Sequence, residues 1–210
     1  MTKRQLNLAG WLSIANAVLR SVSFTMTVLV TLLAKFATGE GLVILLLLVL
    51  IISIIRQGFY LYTFSCLKKI LNSRFQFRDA DKFISQILRL NRLPFVLIAL
   101  NITLVLTLGL IERITGGAKL EEGLGWMLVV SLGLYGLAMI VMGIFYMLTG
   151  VEISRLGRNR QQEVLGAFSQ SLTITGWLLA SLFLAPLGFL FAIQADVLLG
   201  SIFFNIARES

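Results

Sequence analysis

The stretch LVILLLLVLIISII, residues 42–55, carries no charge and a single hydroxyl, at Ser53. It is one of at least five such apolar runs in a chain of 210 residues. Apolar residues make up 58 % of the chain and charged residues only 13 %, and the mean hydropathy is +0.92. That is more apolar surface than a soluble domain of this size can hide. The expected fold is therefore all-α: a polytopic transmembrane helical bundle.

A membrane crossing takes about 20 apolar residues, so five or six crossings with short links use nearly the whole chain. Residues 1–210 are expected to form a single membrane domain. The runs place spans at about 6–34, 42–67, 93–111 and 124–150, with a final pair at about 172–187 and 188–206. Lys3 and Arg4 before an apolar run imitate a signal peptide, but the run continues to about residue 34 and reads as a retained first span.

Charge sets the expected orientation. Residues 68–92 hold Lys68, Lys69, Arg74, Arg78, Lys82, Arg89 and Arg92 against only Asp79 and Asp81, which makes this link cytoplasmic by the positive-inside rule. The link at 111–123, with Glu112, Glu121 and Glu122 against Arg113 and Lys119, belongs outside, and Arg155, Arg158 and Arg160 return inside. The N-terminus is then cytoplasmic, in a membrane of bacterial inner-membrane type. The net charge of +8 is explained by this orientation rather than by nucleic acid. Residues 79–92 read as a basic amphipathic helix, with Ala80, Phe83, Ile84, Ile87 and Leu88 on one side and an Asp79 cap. Lying in the inner interface, it would place the seven cations of residues 68–92 against anionic lipid headgroups.

The last apolar segment is too long for one upright span and short for two. Pro186-Leu187-Gly188 interrupts it, which suits either a kinked fifth span or a fifth span followed by a sixth short span or re-entrant half-helix. A weak repeat bears on the choice. Gly58, Phe59 and Tyr60 are echoed by Gly143, Phe145 and Tyr146 and by Gly200, Phe203 and Phe204, as if each marked the inner end of a hairpin. Trp11, Trp126 and Trp177 each follow a glycine near the expected first turn of a span, as interfacial anchors do.

Polar residues inside the apolar runs are the candidate site. Ser13, Asn16, Arg20, Ser23 and Thr27 recur at intervals of three and four, on one face of a helix that cannot point at lipid. An arginine at mid-span costs about 2.5–3.5 kcal/mol on insertion scales, and Arg56, beside Gln57, poses the same problem. Asp196 is the candidate counter-charge. The expected buried polar cluster is Asn16, Arg20, Arg56, Gln194 and Asp196. Gly136, Gly143 and Gly150, seven apart, form a candidate helix-packing seam, facing a neighbour within the chain or in a homo-oligomer.

The chain has no histidine and one cysteine, Cys66. That excludes an internal disulfide and a thiolate or imidazole metal site. Asp79 with Asp81 and Glu121 with Glu122 lack further ligands, and no nucleophile or phosphate-loop motif is present. No catalytic residue, metal or cofactor is assigned, and no enzymatic activity is expected. The composition points to a scaffold, assembly factor or accessory subunit that touches anionic lipid and a membrane-protein partner; the alternative is a transporter or channel for a small solute or ion.

Overall fold

The computed structural model describes residues 1–33, 39–92, 120–160, 163–181 and 184–209. Within them the protein is all-α: α1 (Lys3–Leu33), α2 (Gly39–Ser73), α3 (Asp81–Leu90), α4 (Leu120–Arg160), α5 (Glu163–Ala180) and α6 (Ala185–Glu209). The third expected span, 93–111, and most of the link after it lie outside the described residues, as does the side chain of Thr27.

The long helices follow from unbroken apolar sequence. Of the two prolines, Pro186 is in the first turn of α6, where its missing N–H would have had no partner anyway. Because Pro186 opens a helix instead of interrupting one, residues 163–209 form two helices joined by a turn. Ser181 closes that turn, its hydroxyl accepting from the Leu184 N–H at 3.1 Å. The two helices pack antiparallel, since Ser171 of α5 donates to the Phe191 carbonyl of α6 at 2.9 Å. The alternative of one kinked span is thereby removed. α5 also begins at Glu163, earlier than the expected 172.

The helices close into a ring in which α4, α5, α6, α1 and α2 are successive neighbours and α3 bridges α2 to α4. Tyr60 and Phe64 of α2 meet Tyr146 of α4 across the middle, each pair of ring centroids 6.3 Å apart. Both ends of the chain lie at one end of this ring. Trp11 packs edge-on to Phe204 at 5.5 Å, and Arg74 reaches Glu209 at 2.5 Å and the Ile206 carbonyl at 3.3 Å. Lys3, Arg4, Lys69, Arg74, Arg78 and Arg208 consequently gather there.

Glycines bring helices together at two crossings. On α4, a Cβ added to Gly143 would stand 2.6 Å from the Gly176 carbonyl oxygen and 2.7 Å from the Ala180 nitrogen, and one added to Gly150 would stand 2.6 Å from the Ser169 carbonyl oxygen. The neighbour of this seam is α5 of the same chain. On α6, Gly200 lies against the Gly10 carbonyl, 3.0 Å from an added Cβ. Such close backbone approach maximises van der Waals contact between the helices.

The apolar face of the amphipathic helix is turned toward protein. Lys68 of α2 pairs with Asp81 at 3.4 Å and donates to Ser85 at 2.8 Å, while Gln57, eleven residues earlier on α2, meets Asn91. α3 therefore runs antiparallel alongside α2, and its apolar face is buried in protein, with Ala80, Ile84 and Ile87 fully covered. The N-cap is Ala80, and no side chain caps it, so Asp79 does not serve as the expected cap. Lys69, Arg74, Arg78, Lys82, Arg89 and Arg92 are exposed and Lys68 is half-buried. Arg89 and Arg92 stand at the far end of α3, roughly 15 Å from its start at 1.5 Å per residue.

Among the described residues, two helical stretches, Gly136–Leu156 and Ala185–Glu209, are long and apolar enough to cross a membrane, with mean hydropathies of 1.8 and 1.9. The five spans and a sixth short one expected from the sequence are more than these two. α1 carries its polar stripe, which lowers its average. Its two faces are nonetheless opposite in character: Leu8, Trp11, Val18 and Val22 point outward, whereas Ser13, Asn16, Arg20 and Ser23 are buried. Trp177 points outward as well, at the end of α5 rather than in the first turn expected for it. Single-tryptophan variants retaining Trp11 or Trp177 are expected to be strongly quenched by brominated acyl chains in vesicles. Unquenched emission from both would remove lipid from around α1 and α5.

Candidate functional site

Helical geometry lines Ser13, Asn16 and Arg20 along one face of α1, and α6 lays Asp196 directly against them. The Ser13 hydroxyl donates to the Asp196 carbonyl at 2.7 Å. Asn16 Nδ2 and Arg20 Nε both donate to Asp196 Oδ2, at 2.8 and 2.9 Å. Asp196 is 3 % exposed, Arg20 8 % and Asn16 0 %, so this ion pair is desolvated near the midpoints of both helices. A carboxylate so placed needs the guanidinium as much as the guanidinium needs it.

Of the other expected cluster members, Arg56 is half-buried and near enough for its field to act on Asp196. Gln194 does not join. It is exposed, because two residues along a helix turn the side chain by about 200°, to the face opposite Asp196.

Beside the ion pair lies a cavity of about 60 Å³ between α1, α2, α3 and α4, reaching α5 and α6 at Leu179 and Phe189. Its polar lining is Arg20, Arg56, Gln57, Tyr60, Asn91 and Tyr146. Its apolar lining is mainly Met139, Met142, Leu179 and Phe189. Gln57 Nε2 donates to both the backbone carbonyl and Oδ1 of Asn91, the latter at 2.8 Å. This double contact fixes the amide of Asn91, since its oxygen must face Gln57 and its NH2 must turn away. Asn91 Nδ2 and Tyr60 Oη are buried without a hydrogen-bond partner of good geometry, although Tyr146 lies near enough to both to interact.

Tyr60, Tyr146 and Asn91 are site residues that the sequence reading did not select. The first two stand out in the sequence as part of the glycine–aromatic repeat, which does not show that they are buried. They are 4 % and 5 % exposed. α2 continues to Ser73 rather than ending near 67, which sets Tyr60 thirteen residues, roughly 20 Å, from the helix end. Asn91 carried no signal, because nothing in the sequence shows that α3 folds back along α2.

Among the described residues no three potential metal ligands converge. The cluster combines an ion pair, side-chain amides and the hydroxyls of Ser13, Tyr60 and Tyr146. The chain matches no protein-family model, no curated protein and no solved structure, so function has to be argued from the site itself.

Proposed function

We propose that the protein is a polytopic integral membrane protein of five or six spans, N-terminus inside a bacterial-type cytoplasmic membrane, that binds a small solute in its polar interior and carries it across. The observation that carries this reading is its inverted pattern. Arg20, Asp196, Asn16 and Ser13 are buried at the centre, while Trp11, Val18, Ile51, Ile54, Leu137, Ile144, Trp177, Leu187 and Leu190 face outward. Ionisable groups placed mid-helix are costly, and their usual use is a substrate or ion pathway.

The scaffold reading stands second. Two of its supports are occupied internally: Gly143 and Gly150 pack on α5, and the apolar face of α3 is covered by protein. It keeps the exposed cations Lys69, Arg74, Arg78 and Lys82 as contacts for anionic headgroups, each worth about 1 kcal/mol near such a surface. No catalytic role is proposed.

Reconstituted vesicles test the choice. Protein-dependent flux of a small solute is expected, and Asp196→Asn is expected to lower it by at least tenfold. Absence of flux across cations, anions and neutral solutes would return the scaffold reading to first place.

A further inference from the structure

We propose that two neighbouring cavities hold bound water, so that the Arg20–Asp196 ion pair is hydrated from within although both residues are buried. The larger is the space of about 60 Å³ between α1, α2, α3 and α4. The smaller, of about 10 Å³, is bordered by Arg20, Tyr60, Tyr146, Thr175 and Asp196 among its polar residues. Arg20, Tyr60 and Tyr146 line both, so the two spaces share a border. The inference goes beyond the solute-carrying reading and does not depend on it.

Volume sets the number and lining chemistry sets the occupant. One water needs about 10–15 Å³ of such space, so the larger cavity admits roughly four to six and the smaller about one. Cavities that stay dry are apolar, whereas a buried water persists among about two to four polar partners. The larger space has guanidinium, amide and phenol groups on its border, and a dry space there would forfeit their hydrogen bonds. Beside the smaller one, Asn16 and Arg20 both donate to Asp196 Oδ2, using two of the roughly four acceptor sites of a carboxylate. Thr175 gives its proton to the Ser171 carbonyl at 2.8 Å, which leaves its hydroxyl oxygen as an acceptor. A water in this space can donate to Asp196 and Thr175 and accept from a phenol.

The test is X-ray footprinting of the purified full-length protein in detergent. A brief pulse makes hydroxyl radicals from water where it stands, and side chains touching that water are oxidised. Tyr60 and Tyr146, 4 % and 5 % exposed, are expected to be modified as fast as the exposed Tyr62. Phe203, fully buried and bordering neither space, is expected to stay unmodified. Met139, 7 % exposed, borders the larger space and not the smaller, and its oxidation is expected in the wild type. Ala138 lines the same space, so Ala138→Leu fills part of it with apolar atoms and is expected to abolish the oxidation of Met139.

Tyr60 and Tyr146 as unreactive as Phe203 would show dry cavities and overturn the proposal. Oxidation of Phe203 together with the tyrosines would overturn it as well, because the whole bundle would then admit solvent. Unchanged oxidation of Met139 in Ala138→Leu would separate that signal from the cavity and remove the larger site. Should Ala138→Leu fail to fold, the wild-type pattern of Tyr60, Tyr146 and Phe203 decides alone. Dry cavities with protein-dependent flux would leave the transport reading standing, and bound water without flux of any solute would uphold this inference and remove transport.

Discussion

Asp196→Asn is expected to destabilise the protein by about 3–5 kcal/mol, the cost of leaving a buried partner charge uncompensated. The substitution preserves shape, so the effect isolates charge: Arg20, 8 % exposed, loses the carboxylate that accepts its Nε at 2.9 Å. Asn16 gives a smaller share of the loss, because its amide can still donate to the new side-chain oxygen. The decisive companion is the double variant Arg20→Met/Asp196→Leu. Replacing a buried ion pair by apolar groups of similar volume is often neutral or stabilising, so its unfolding midpoint is expected near that of the wild type, while flux stays at least tenfold lower. Chemical unfolding of the two single variants and the double variant in detergent micelles measures the coupling. A double variant as unstable as Asp196→Asn would show that the pair is held by more than mutual charge compensation. A double variant that is both stable and active would separate these charges from function altogether.

The second large effect is expected at the α4–α5 crossing. A Cβ at Gly176 would meet the Gly143 carbonyl oxygen at 2.5 Å and the backbone of Met147 closer still. Backbone atoms inside two helices cannot swing aside as a long side chain can, so the helices must separate along the seam. Gly176→Ala is therefore expected to cost about 3 kcal/mol, at the upper end of ordinary overpacking. Gly166 on the same helix is the control, with nothing within 4 Å of an added Cβ. There the better helix propensity of alanine acts alone, and Gly166→Ala is expected to stabilise by up to about 1 kcal/mol. Heating both variants and following the loss of the monodisperse elution peak compares them directly; similar midpoints would contradict the close crossing.

How much of this was legible in the residues varies from element to element. The outward and inward faces of α1 could be read from Ser13, Asn16, Arg20 and Ser23, because a period of 3.6 is a local property of the chain. Asp196 could be singled out by elimination, as an acidic residue in an apolar run with cations elsewhere needing a partner. Gln194 could not be separated from it without the rotation of α6 against α1. Gly143 and Gly150 announced a seam by their spacing, but its partner stripe, Ser169, Thr173, Gly176 and Ala180, was readable only as intervals of four, three and four on a segment whose start was placed too late. The surface that covers the apolar side of α3 is not legible in the sequence for a physical reason. A basic amphipathic pattern is the same whether its apolar side meets lipid or a neighbouring helix, and Lys68 with Gln57 settles which.

The sequence by itself determined the helical class, the polar face of the first helix and the residue types that could compensate its arginine, since each depends on composition or on neighbours within a few turns. Only the tertiary structure decided that residues 163–209 form a hairpin, that Gln194 points away from Asp196, and that Tyr60, Tyr146 and Asn91 converge on one cavity. These are contacts between groups 20 to 183 residues apart, and they depend on the rotation and depth at which packed helices come to rest, for which local periodicity carries no information.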